Sequence, residues 1–121
     1  MLNLDTHILL DAVSQRPRPA ERRILNEEFW CISDIVLWEI GWLHREGRIS
    51  LSLNDSSLNR ALERMTIWPI SREVAMSMRL LDFRSDPADE IIAATSLAHG
   101  IPLLTRDNRL LASKLVPLAL T

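Results

Sequence analysis

Five acidic residues stand where chemistry could use them. Asp5 follows directly on the apolar run that opens the chain, and Asp107 follows closely on another, residues 101–104. Glu39 is the only charged residue among the nine from 35 to 43. Asp86 and Asp89 lead a segment that continues with Ile91, Ile92, Ala93, Ala94, Leu97 and Ala98. A buried carboxylate without a partner costs several kcal/mol or takes up a proton. Glu39 therefore either belongs to an exposed stripe with Arg45 and Glu46 or faces an internal charged site. The other four have local readings. Asp5 can start a turn into the next helix. Asp86 and Asp89 suit the cap and third position of a helix, where the dipole favours negative charge. Asp107 suits the cap of a short helix after it. The local readings leave the joint pattern unexplained: one acid after a strand, one in mid-helix, two heading a buried helix, one after the next strand. If these carboxylates meet, they cannot all stay ionised without a cation. Oxygen-only ligands of this kind suit Mg²⁺ or Mn²⁺.

The elements that must position them follow from apolar periodicity and punctuation. Residues 1–4 form a short strand, 8–14 a helix broken by Pro17 and Pro19, and 20–28 a second helix. Residues 29–32 form a strand. Ser33 caps a helix over 34–46 that Gly47 stops, and Asn54 caps another through 65. Residues 67–70 are extended, and Ser71 caps a helix through about 82. Asp86 and Pro87 then start, and Gly100 ends, a helix apolar nearly all round and hence buried. Residues 101–105 form a strand, 107–113 a short helix, and 115–120 a last strand that Pro117 assigns to an edge. Alternation of strand and helix predicts an α/β fold, a parallel sheet with helices on both faces. Ligands of such sheets sit beyond the carboxyl ends of the strands, where Asp5, Thr105 and Asp107 lie.

The chain of 121 residues, 47% hydrophobic and 25% charged, is expected to form a single domain over 1–121. No apolar run approaches the ~20 residues that span a bilayer, and the start lacks the marks of a signal peptide. Cys31 is the one cysteine, so no internal disulfide forms. The expectation is a cytoplasmic protein with no membrane contact. The net charge of −2 argues against a nucleic-acid ligand at first sight. Setting the five acids aside leaves eleven acids against fourteen bases. A mildly basic body around an acidic hole is compatible with a phosphodiester.

Four motifs in order, Leu4-Asp5-Thr6-His7, Ser33 with Leu37-Trp38-Glu39-Ile40, the segment from Asp86 through Asp89 to Thr95, and Pro102-Leu103-Leu104-Thr105-Arg106-Asp107, resemble those of PIN-domain ribonucleases, and more narrowly the VapC toxins of bacterial toxin–antitoxin pairs. The resemblance spans nearly the whole chain. It implies a three-layer α/β/α sandwich on a parallel sheet and a metal-dependent endoribonuclease. It implies Asp5, Glu39, Asp89 and Asp107 as catalytic ligands of one or two Mg²⁺ or Mn²⁺ ions. Asp86 would support the site as helix cap. Thr6, Ser33 and Thr105 would orient carboxylates or water. An RNA substrate, a cognate antitoxin and a homodimer are implied partners. The chain departs from many relatives at Glu90, where they carry arginine.

The remaining features have plainer readings. His7 and Asp11 share a helix face, with turn and solvated-acid roles preferred to a metal pair. His44 and His99 suit helix C-termini. Cys31 is a buried small hydrophobe. Trp38 and Trp42 are expected to pack in the core, with a dimer or antitoxin surface as the alternative, and close packing is expected at Gly41. Arg16, Arg18, Arg22 and Arg23, with Arg106 and Arg109, are expected in solvent or on phosphate. A catalytically inactive PIN-like RNA- or protein-binding module is the competing function, disfavoured because all four acids are present. An aspartate-nucleophile phosphatase would want a second Asp where His7 stands. Dinucleotide binding fails for lack of a glycine-rich loop.

Overall fold

The computed structural model describes residues 1–120. Four strands, β1 (Leu2–Leu4), β2 (Trp30–Ser33), β3 (Thr66–Trp68) and β4 (Leu103–Leu104), form an all-parallel sheet in the order β3-β2-β1-β4. Parallel neighbours need crossovers. These are α1 (Thr6–Val13) and α2 (Pro19–Glu27), then α3 (Ile35–Arg45) and α4 (Ser56–Glu63), then α5 (Arg72–Ser77), a 3₁₀ turn at Met78–Leu80 and α6 (Pro87–His99). A four-residue helix, α7 (Asn108–Leu111), follows β4.

All three residues of β1 are buried, so both faces of the sheet are covered. The two faces are covered differently. Leu2 and Leu4 join a core of Ile8, Leu9, Ile32, Ile40, Leu58 and Leu110. On the opposite face the Asn3 amide donates to Ile92 O at 3.1 Å and Ser96 Oγ at 2.8 Å, tying β1 to α6. The expectation of a buried helix holds for α6. Its polar residues are enclosed as well: Thr95 is 1% and Ser96 0% exposed, and Thr95 donates to Ile91 O. Gly100 ends the helix at φ +65°, the left-handed position that glycine adopts without steric cost.

Element ends differ from expectation where side chains compete for caps. α1 starts at Thr6 because Asp5 Oδ1 accepts from Thr6 N. Asp34, not Ser33, precedes α3, and Asp55, not Asn54, caps α4 by accepting from Leu58 N. The helix expected through 82 breaks into α5 and the 3₁₀ turn. The last strand, expected over 115–120, does not form. It is reduced to one parallel bridge between Leu103 and Leu118, with Leu103 N donating to Pro117 O and Ala119 N to Leu103 O. Pro117 has no N–H to continue the ladder. The edge position expected of it is observed. Gly41 is not required by packing: an added Cβ would meet only Leu53 Cδ1, at an ordinary 3.8 Å.

Candidate active site

The carboxyl ends of β1 and β4 open into a cleft of about 560 Å³, lined by six acids, Asp5, Asp11, Glu39, Asp86, Asp89 and Asp107, and by His7, Trp42, Arg48 and Arg106. The acids come from several pieces of the fold, with Asp86 and Asp89 together at the head of α6. Asp5 is the first residue after β1 and caps α1. It is 7% exposed. Its Oδ1 accepts from Thr6 N at 2.8 Å and its Oδ2 from Thr105 Oγ at 2.6 Å. Burial pushes this carboxyl above its usual range, the two hydrogen bonds pull it back, and the Glu39 charge pushes it up again. Glu39 comes from the middle of α3, and Thr6 Oγ donates to its Oε1. Thr6 thereby joins the two acids, with its N–H on Asp5 and its hydroxyl on Glu39.

Asp86 occupies the cap position of α6, but its side chain makes no capping hydrogen bond, and it lines the cleft. Asp89, in the first turn of the same helix, accepts from Ser85 Oγ at 3.1 Å. Burial first, then the charges of Asp5, Asp107 and Asp86, push its carboxyl up to about 6. Asp107 caps α7 as expected, its Oδ1 accepting from Arg109 N and Leu110 N. Thr105 links this acid to the first: its hydroxyl donates to Asp5 and accepts from Asp107 N at 3.0 Å.

The buried Ser33 stands apart, its Oγ accepting from Ile35 N at 3.2 Å at the start of α3. Glu90 lies outside the cleft lining and reaches back to accept from Ser85 N at 3.4 Å. Two residues read as solvated are not. Arg106 donates through Nε and Nη2 to both oxygens of Glu21, at 2.7 and 2.6 Å, and through Nη1 to Asp11 at 2.6 Å. Glu21 is only 4% exposed, and the Arg106 guanidinium holds its carboxyl below the usual range. Of the arginines at 16, 18, 22 and 23, none lines the cleft. Asn3, Asp11 and Glu21 gave no sign of their roles in the sequence, because their partners are 85 to 95 residues away. The expectation of core packing fails for Trp38, which is 59% exposed, and holds in part for Trp42, which packs half-buried against the core and also lines the cleft. Cys31 is buried as expected, and its thiol is pushed up by that burial. His99, in the last turn of α6, stacks on Trp68 with ring centroids 4.0 Å apart.

The chemistry of the donor set fits a hard divalent cation. It is all oxygen and it crowds negative charge, and the Asp89 carboxyl is raised first by burial and then by the neighbouring charges of Asp5, Asp107 and Asp86. The fit is not that of a closed cage. Among the described residues, no group of three or more His, Cys, Asp or Glu is arranged to hold an ion. The carboxylates share a cleft and stand apart within it.

The family model described as PIN domain matches residues 3–114. The chain is 33% identical over 113 residues to Ribonuclease VapC22 of Mycobacterium tuberculosis, covering 88% of this chain and 87% of that protein. Among solved structures, a chain of VapBC2 from Rickettsia felis, bound to a DNA fragment from their promoter, superposes with a TM-score of 0.71. It is 19% identical and covers 98% of this chain and 97% of its own. A chain of a toxin–antitoxin complex from Klebsiella pneumoniae gives a TM-score of 0.67 at 24% identity, covering 93% of this chain and 91% of its own.

Proposed function

From the premise that the chain belongs to the PIN-domain family, we propose that it is a metal-dependent endoribonuclease acting as the toxin of a toxin–antitoxin pair. The observation that carries this reading is the shared cleft of Asp5, Glu39, Asp86, Asp89 and Asp107, together with 33% identity to a protein named as a ribonuclease. In this reading Asp5, Glu39, Asp89 and Asp107 supply oxygen ligands to one or two Mg²⁺ or Mn²⁺ ions. Bound there, the cation would polarise the phosphodiester, acidify a water and steady the leaving oxygen.

The chain's own part is to hold the ligands. Thr105 anchors Asp5, Thr6 bridges Asp5 and Glu39, and Ser85 restrains Asp89. The bonds from Thr105 and Thr6 to Asp5 and from Ser85 to Asp89 favour the charged carboxylate, which is the form that ligates. Asp86 adds a fifth negative group at the head of α6 and has no capping bond to hold it back. The Ser33 hydroxyl serves the turn into α3.

Incubated with RNA and Mg²⁺ or Mn²⁺, the purified chain is expected to cut it, and a chelator to stop the cutting. Asp5→Asn or Asp89→Asn is expected to abolish it. Undiminished cutting by either variant would sink the site assignment. The toxin role, the cytoplasmic location and the homodimer are parts of the same proposal. They are supported by likeness to chains solved in toxin–antitoxin complexes and by the lack, among the described residues, of any helix long and apolar enough to cross a membrane. Growth arrest on expression, relieved by co-expressing an antitoxin encoded next to this chain, tests that part.

A further inference from the structure

Trp42 and Arg48 line the acidic cleft beside its carboxylates, with the Arg48 guanidinium 5.7 Å from the centroid of the Trp42 ring. One turn back along α3, Trp38 stacks on Trp42 at 6.3 Å between centroids and 15° between planes. Trp38 is 59% exposed, so the row runs from the cleft wall to open surface. The two indoles bracket Glu39 in sequence, which places the row beside a carboxylate of the proposed site. The two cleft arginines differ. Arg106 is tied to Asp11 and Glu21. Arg48 is exposed and has no ion pair or side-chain hydrogen bond among the described residues.

We propose that Trp38, Trp42 and Arg48 form a binding subsite for one unpaired nucleotide of RNA flanking the phosphodiester that is cut. Unpaired bases stack on indole rings and guanidinium planes, and an arginine beside them also meets the phosphate. A paired base offers no free face to such a row, so the subsite selects single-stranded or looped RNA. This rests on the endoribonuclease reading and adds to it the group that positions the strand. A second copy of the chain is the competing occupant of the exposed indole, since tryptophan is also enriched at protein interfaces.

The test uses the full chain as Asp5→Asn, with Mg²⁺, and two fluorescein-labelled probes: a short single-stranded RNA of mixed sequence and its abasic counterpart. The RNA is expected to bind, and to quench tryptophan emission as the abasic strand does not. Trp38→Ala is expected to weaken RNA binding about tenfold and leave abasic binding unchanged. Arg48→Gln is expected to weaken both. Both side chains are exposed, so both variants should fold. Trp42→Phe keeps a smaller stacking face and is expected to weaken RNA binding less than Trp38→Ala. Equal affinity for the two probes, or full RNA affinity in Trp38→Ala, overturns the proposal. So does a Trp38→Ala variant that turns a dimer into monomers with RNA affinity intact. Cleavage by the unsubstituted chain is run alongside. If it cuts no RNA, the endoribonuclease reading has failed. If it cuts and the variants bind as the parent does, only the subsite has failed.

Discussion

The Thr105 hydroxyl serves two acids at once, donating to Asp5 and accepting from the backbone of Asp107. Such supporting hydrogen bonds to ligands are worth roughly 10- to 100-fold in metal affinity. Thr105→Val is therefore expected to weaken Mn²⁺ binding by about that much in calorimetric titration, with the fold intact. Asp89 carries a second prediction. Its carboxyl sits at about 6 in the folded chain against 3.8 unfolded. A raised acid penalises the folded state when ionised, so the penalty is full above about pH 6 and is relieved as pH falls from there toward 3.8. Asp89→Asn removes it. The metal-free variant is expected to melt at a higher temperature than the parent at pH 7, while losing activity. A lower melting temperature would count against a penalty from burial and neighbouring charge at Asp89. The pattern is one expected of functional sites, where stability is given up for reactivity.

Helix ends decide where these side chains go. Gly100, at φ +65°, lets α6 stop and the chain turn toward β4. An alanine there is strained, and Gly100→Ala is expected to cost about 1 kcal/mol by denaturant titration. Gly41 is the opposite case, a glycine inside α3 with ordinary space for a methyl group. Gly41→Ala is expected to stabilise by about 0.5–1 kcal/mol, with cleavage unaffected. The missing last strand is also an end effect, since Pro117 lets one bridge form and no more.

On the scale of the whole molecule, the parallel sheet brings together acids that are far apart in sequence, and a partly buried arginine with two acids ties the frame beside them. Arg106, just after β4, holds Glu21 of α2 and Asp11 of α1. Arg106→Met would leave Glu21 buried without its partner. The expected cost is about 2–4 kcal/mol, somewhat below that of a fully buried pair because the arginine is 24% exposed. The same pair sets an acid limit. Glu21 titrates below its ordinary 4.5, so its contribution is complete above that pH and is lost as pH falls through the lowered value. Chemical denaturation from pH 6 down to 3 should show a loss of stability that is absent in a Glu21→Gln, Arg106→Gln double variant.

The sequence by itself determined the alternation of apolar strand and helix, the buried α6 with its Asp-Pro start and glycine stop, and the candidacy of Asp5, Glu39, Asp89 and Asp107. Those features are local: periodicity, caps and an isolated charge in an apolar run can all be read within a few residues. The cleft itself was decided only by the tertiary structure. Three crossovers set which carboxylates face one another, whether Thr6, Ser33 or Thr105 touches an acid, and whether a tryptophan is exposed or lines the cleft. The Arg106 clamp and the Asn3 tie join residues 85 to 95 positions apart. Nothing in a linear pattern marks such pairs, because their energy comes from burial that exists only once the chain has closed on itself.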